Sequence, residues 1–250
     1  MGSLTLGTIA LIAGTIVGTS FISGIFGMAG GMILLGVLLF FFDVVAGMVL
    51  FSTIQLAANG WRAVLWWRFV RWPIFWLYVI GAFLAFLAMR AIAFVPDKAM
   101  VYLALGAVPF LIELLPAGAR PNIERRGVPF ITGVLTTLVQ LIAGVGGQFL
   151  DIFFQKSMLD RKTTVATKAV TQTFAHLLRL IYFGSLAGAA DVVPLWAHAP
   201  AIALAIIGTS LAPYVLERLT DVGFRQWTRW IILAISVVYL LRGGWLLWQP

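Results

Sequence analysis

The sequence predicts an all-α polytopic membrane protein of two inverted-topology repeats. Each repeat is a re-entrant helical hairpin followed by three transmembrane helices, giving seven to eight crossings if hairpin arms are counted. Three observations lead there. Of 250 residues, 62% are hydrophobic and another 25 are glycine. Only 10% are charged, against roughly a quarter in soluble domains, so too few polar side chains exist to cover a water-facing surface. Apolar runs of about 20 residues recur between breaks of proline, glycine and charge, and a pattern of polar residues in the first half returns in the second. This composition excludes a secreted domain, a cytosolic enzyme and a nucleic-acid-binding module, although 17 Lys and Arg outnumber 9 Asp and Glu to give a net charge of +8. The absence of Cys removes disulfides, iron–sulfur clusters and thiolate metal sites.

The elements follow in chain order. Residues 4–42 form the first hairpin. Its first arm, Leu4 to Phe26, lacks the basic leader and polar cleavage region of a signal peptide and stays apolar past residue 20, so it reads as a membrane segment of the mature protein. The break Gly27-Met28-Ala29-Gly30-Gly31 comes next, and then an apolar stretch from Met32 to Phe42 before Asp43. That second arm spans roughly 17 Å, against a hydrocarbon core of about 30 Å, so it turns back inside the membrane. Irregular backbone at such depth is tolerated where it lines a protected cavity. Full spans are expected over 44–67, 73–93 and 98–115, which completes repeat 1 at residues 1–115. Residues 116–127 are the linker. Repeat 2, residues 128–250, starts with a second hairpin at 128–155. There Val128 to Ala143 precedes Gly144-Val145-Gly146-Gly147, and an arm of roughly 12 Å precedes Lys156. Spans follow at 163–183, 200–216 and 227–248. Pro73 and Pro200 are placed at helix starts, where a first turn needs no donor.

Charge orients the chain. If each hairpin returns to the side it left, Arg68, Arg71, Arg120, Arg125, Arg126, Lys156, Arg161, Lys162, Arg218 and Arg225 share one face. The other face receives Arg90, Lys98 and Arg242 with Asp43, Asp97 and the loop containing Asp191. The positive-inside rule then sets both termini on the outer side of the membrane. Charge also permits eight full crossings, and arm length discriminates. Trp61, Trp66, Trp67, Trp72 and Trp76 form an interfacial belt.

The halves align. Gly30 and Gly31 fall on Gly146 and Gly147, and beyond one inserted residue Asp43 pairs with Asp160, Gln55 with Gln172 and Arg62 with Arg179. Ile80-Gly81 pairs with Ile207-Gly208, and Leu84-Ala85 with Leu211-Ala212. An odd number of crossings per repeat inverts the second copy, and such repeats in transporters hold substrate near the midplane.

Candidate site residues come from the duplicated polar pattern. Gln55, Asn59 and Arg62 share one helix face, and Gln172, His176 and Arg179 repeat the spacing. Two arginines in a span cost about 5–7 kcal/mol on insertion scales unless they meet water or a partner. Interhelical hydrogen bonding or snorkelling towards opposite surfaces would account for any one of these residues; the duplicated triplet points to function. A helix starting behind Gly30-Gly31 or Gly146-Gly147 aims unpaired N–H groups and the positive end of its dipole inward, which suits an anion. Helix packing is the alternative for either glycine cluster. Asp151 has no counterpart, because Leu35 occupies the equivalent position. It either carries a proton or cation, or pairs with Lys156 or Lys168. His176 either titrates during transport or donates one hydrogen bond as a neutral ring. His198, beside Pro200, is expected in solvent. Two distant His and few carboxylates give no metal cluster, and no catalytic arrangement of Ser, His and Asp or of paired carboxylates is present.

With these motifs in place, GMAGGMILLGVLLFF at 27–41 and GVGGQFLDIFFQKSMLDRKTTVATKAVTQTFAHLLRLIYFG at 144–184 resemble the sulfite exporter TauE/SafE family, also called the 4-toluenesulfonate uptake permease family. The resemblance covers nearly the whole chain. It implies a bacterial inner-membrane carrier for sulfite, sulfoacetate or other organosulfonates. Asn59 standing opposite His176, and an apolar residue opposite Lys168, imply unequal half-sites. The resulting expectation is a secondary transporter using alternating access and no cofactor. Arg62 and Arg179 attract the anion, N–H groups behind Gly30, Gly31, Gly146 and Gly147 hold its oxygens, and Gln55, Asn59, Gln172 and His176 complete the hydrogen bonds. Asp151, His176 and Lys168 are candidates for coupling. Its partners are a small anion, protons and the lipid bilayer, with a homo-oligomer left open. An anion channel, or a membrane enzyme or assembly factor, are the alternative readings.

Overall fold

The computed structural model describes residues 5–26, 29–116, 118, 120–144, 146–186, 193–216 and 221–248. Gly27, Met28, Val145, Asp191 and Arg218, which figure in the sequence reading, lie outside the described residues. All regular structure within them is helical: α1 (Leu6–Phe26), α2 (Ala29–Phe41), α3 (Val44–Leu65), a 3-10 turn (Trp67–Phe69), α4 (Trp72–Ile92), α5 (Lys98–Leu114), α6 (Val128–Ala143), α7 (Gly146–Phe154), α8 (Arg161–Leu186), α9 (Leu195–Leu216) and α10 (Asp221–Trp248).

Local chemistry sets many of these limits. Asp43 and Asp97 cap α3 and α5 by accepting from the Ala46 and Met100 N–H groups at 2.9 and 2.7 Å. Asp160 does the same for α8 through Thr163, at 3.0 Å to its N–H and 2.6 Å to its hydroxyl. Gly144, at φ +74°, closes α6 in the left-handed region and donates to the Gln140 carbonyl at 3.0 Å. Pro73 falls in the first turn of α4 as expected. Pro200 does not open its helix: α9 starts at Leu195 and carries Pro200 and Pro213 inside. An interior proline forgoes one backbone bond, which neighbouring helices offset in a membrane bundle. His198 is a second correction, since it is half-buried with Nδ1 3.0 Å from the Thr53 hydroxyl.

Five helices are long and apolar enough to cross a membrane, over Leu6–Ile25, Val44–Leu65, Trp72–Ile92, Leu195–Tyr214 and Arg229–Trp248. The first of these, expected as a hairpin arm, reaches crossing length by itself. Two of the expected spans are absent from this group: α5 has 17 residues, and α8 is long but strongly polar along one face. α2, with 13 residues, extends about 20 Å, and α7, with nine, about 14 Å, so both short arms fall well under a bilayer core. Ile80, Phe83, Leu84, Leu87, Val238 and Leu241 are exposed on the outside of the bundle. Apolar helices of crossing length with an apolar outer surface make this a multi-pass membrane protein.

The helices pair between the two halves of the chain. α3 lies along α8, α5 along α10, α1 along α9 and α4 along α6. α3 and α8 run antiparallel: Ser52 bonds to Arg179, whereas Gly60 approaches Thr173. Exchanging α1–α5 for α6–α10 turns the contact of α1 with α9 into that of α6 with α4, and likewise α3 with α9 into α8 with α4 and α2 with α3 into α7 with α8. The α3–α8 and α5–α10 contacts return to themselves. Gly81 on α4 and Gly133 on α6 face each other's backbones so closely that a Cβ on either would strike the Phe130 or Tyr78 carbonyl, which lets these two helices cross in direct contact.

Candidate functional site

Gly31, at the start of α2, lies against Gln55 and Phe51 near the centre of α3. Gly144, which ends α6, lies against Leu35 of α2 and Met48 of α3. Between them is a cavity of about 40 Å³, lined from the first half by Ser23, Gly31, Met32, Phe51, Gln55, Asn59 and Leu105. The second half contributes Gly144, Gly147, Gln148, Gln172 and His176. A water needs at least about 10–15 Å³ of such space, so there is room for roughly three waters or one small ion of similar bulk.

Six of the residues singled out from sequence therefore come together: Gly31, Gly147, Gln55, Asn59, Gln172 and His176. Gly30 and Gly146 do not line the cavity. Gly30 packs against the Thr19 carbonyl and Ser23, and Gly146 against Gln140 and the Thr136 carbonyl, so both are contact points between hairpin arms.

The two arginines stand one layer behind the wall. Arg179 is 0% exposed. Its Nε donates to Ser52 Oγ at 2.9 Å, Nη2 donates to His176 Nδ1 at 3.0 Å, and the guanidinium lies over the Phe51 ring at 4.3 Å. A guanidinium has only donors, so His176 Nδ1 accepts and the ring proton is assigned to Nε2, on the far side of the imidazole. His176 also meets Phe51 edge-on, with centroids 5.8 Å apart. In the first half, Asn59 Nδ2 donates to the Gln55 carbonyl at 2.9 Å and to Gln55 Oε1 at 3.3 Å, while Arg62 Nη1 reaches Asn59 Oδ1 at 3.5 Å. Neither arginine has a carboxylate partner among the described residues, and Arg179 Nη1 and Arg62 Nη2 are buried without a hydrogen-bond partner. An unpaired buried cation is costly, so this arrangement calls for an anion nearby.

Gln148 was missed in the sequence reading. It is 6% exposed, lines the cavity, and leaves both its amide oxygen and nitrogen unpartnered. Its signal was an amide three residues before Asp151 in a short, mostly apolar arm. Asp151 and Lys168 form an ion pair between α7 and α8.

The cavity is thus rich in donors: the His176 Nε2–H, the Gln148 amide, and the open N–H groups at the starts of α2 and α7. The family model for "Sulfite exporter TauE/SafE" matches residues 10–239. No curated protein and no solved structure matches the chain.

Proposed function

The chain belongs to the sulfite exporter TauE/SafE family, and from that premise we propose that it is a secondary transporter moving sulfur-containing oxyanions across the bacterial inner membrane by alternating access. The observation that carries this reading is Arg179: a guanidinium with no exposed surface and no carboxylate partner among the described residues, placed directly behind a cavity-lining histidine. Arg62 stands behind Asn59 in the corresponding way. An anion in the cavity offsets both charges while His176 Nε2–H, Gln148 and the N-termini of α2 and α7 bond its oxygens.

The exchange of contacts between halves supports reading residues 1–115 and 128–250 as inverted repeats around this cavity. Its size favours an ion of sulfite's bulk in this conformation over a larger organosulfonate. The orientation follows the basic residues, with both termini periplasmic. Transport, rather than chemistry on the anion, is the activity.

Sulfite uptake by purified protein in proteoliposomes tests the reading. Saturable uptake with counterflow of unlabelled sulfite is expected. Uptake that never saturates means a channel, and uptake no faster than in protein-free vesicles removes the assignment.

A further inference from the structure

The ion pair of Asp151 and Lys168 has no part in the anion-holding arrangement above. Other carboxylates with described side chains sit at helix ends or in connections. Asp43, Asp97 and Asp160 are caps, Glu113 pairs with Arg229, and Glu124 accepts from the Met158 N–H. Asp151 instead lies within α7, three residues past Gln148, and Lys168 lies four residues before Gln172. Each is one helical turn from a cavity-lining amide on the same face. The pair therefore adjoins the cavity. Its side chains are also 34% and 21% accessible, and a charge pair left accessible in so apolar a chain faces water rather than hydrocarbon.

The charged groups on the surrounding helices are cationic or remote. α6 carries no charged residue, and α5 has Lys98 and Glu113 near its two ends. α3 supplies Arg62, and α4 supplies Arg90, bonded to Ser185. On α8 itself, Arg161 and Lys162 are at the start, while His176 and Arg179 are two to three turns beyond Lys168. His176 Nδ1 is already occupied in accepting from Arg179, so Asp151 is the acceptor left for a proton beside the cavity.

We infer that Asp151 is the binding site for a co-transported proton and that Lys168 is the cation it releases. A proton from water adds to a carboxylate oxygen of Asp151. The ion pair is lost, and the Lys168 ammonium turns to pair with the anion in the cavity. One O–H bond of the donating hydronium breaks, leaving water, as the carboxyl O–H forms, and the loaded state holds one proton with one negative charge of the anion. This step rests on the anion-transport reading above.

The test compares sulfite binding by purified wild-type, Asp151→Asn and Lys168→Met proteins, by calorimetry in two buffers of different ionisation enthalpy, which counts protons taken up. Protonation of sulfite itself is common to all three proteins and cancels. Wild type is expected to take up about one proton more per sulfite than Asp151→Asn. Asp151→Asn, which mimics the protonated carboxyl, is expected to bind sulfite about tenfold tighter than wild type in mildly alkaline buffer, and Lys168→Met about tenfold weaker. Equal proton counts in wild type and Asp151→Asn overturn the inference and leave the pair a structural brace. So does an Asp151→Asn protein that is monodisperse yet binds no sulfite. The double variant Asp151→Asn/Lys168→Met, which leaves neither charge unpaired, controls for folding and is expected to bind like Lys168→Met. A wild type that binds no sulfite overturns the anion reading together with this one.

Discussion

Replacing Arg179 by methionine removes a charge while keeping a long, flexible side chain at a fully buried position. Arg179 Nη2 lies 3.0 Å from His176 Nδ1. Adding the width of an imidazole and one hydrogen bond from Nε2 puts an anion in the cavity about 8 Å from the guanidinium. At an effective dielectric constant near 20, unit charges at that separation attract by about 2 kcal/mol, a change of about 30-fold in affinity. The substitution orphans no carboxylate among the described residues, because none of them pairs with Arg179, so the protein is expected to remain folded. Ser52 also keeps its own bond to the Met48 carbonyl at 2.5 Å. The measurement is a sulfite titration of purified Arg179→Met, with size-exclusion behaviour and melting as controls. Because the charge is buried, the loss should persist at high salt. A well-folded variant with affinity within about twofold of wild type would refute the argument that this cation acts on the cavity through His176.

Gly30→Ala should lower the melting temperature, since its Cβ would strike the Thr19 carbonyl and lie 2.6 Å from Ser23 Oγ, an overpacking cost of about 1–3 kcal/mol. Gly31→Ala meets only the movable Gln55 amide, at 2.7 Å, so it should melt near wild type while the added methyl weakens sulfite binding by about tenfold; equal behaviour of the two variants would contradict the division between packing and lining. Gln148→Leu removes two unpartnered polar atoms and should stabilise the protein while costing about 1–3 kcal/mol in sulfite binding; unchanged binding would take Gln148 out of the site. At the start of α8, the Thr163 hydroxyl and then its N–H hold the Asp160 carboxyl below its ordinary value. A depressed value in the folded state means this stabilisation is present above the unfolded pKa, about 3.9, and is lost as pH falls through the folded one. Amide exchange at Thr163 and Thr164, relative to Asp160→Asn, should therefore lose its difference in acid, and a difference that survives would show that the cap does not depend on the carboxylate.

Half of the lining residues were legible, four of them because helical periodicity puts residues four apart on one face. Gln55 with Asn59, and Gln172 with His176, needed no tertiary information to be grouped. The same logic misplaced the arginines by one layer. Arg62 and Arg179 share the face, but they lie seven residues beyond Gln55 and Gln172, a rise of roughly 10 Å, so they reach the cavity only through Asn59 and His176. Ser52 and Phe51, which hold Arg179, were out of reach for another reason. They come from the antiparallel partner helix, and no spacing within one segment encodes which residues of α3 lie beside those of α8. The start of α9 at Leu195 was equally hidden, because proline was read as a start signal when the bundle accepts it inside a helix.

Gln148 shows how a duplicated pattern misleads. The alignment of the halves sets it opposite Met32, and it sets Lys168 opposite Phe51, Asp151 opposite Leu35, His176 opposite Asn59 and Ala169 opposite Ser52. Searching for matched pairs rewards the residues both halves share and passes over those that differ. Three of these differences run in one direction. The first half places apolar side chains at Met32, Phe51 and Leu35, whereas the second places an amide, an ammonium and a carboxylate at the matching positions. Phe51 lies under the Arg179 guanidinium, so its ring occupies in one half the place that a charge takes in the other. A lysine in place of Phe51 would set its ammonium against the Arg179 guanidinium, and that repulsion disfavours the pocket unless an anion is always present. Confining the exchangeable ion pair to one half lets the empty cavity stay neutral at Lys168 while two fixed guanidinium groups remain for the anion.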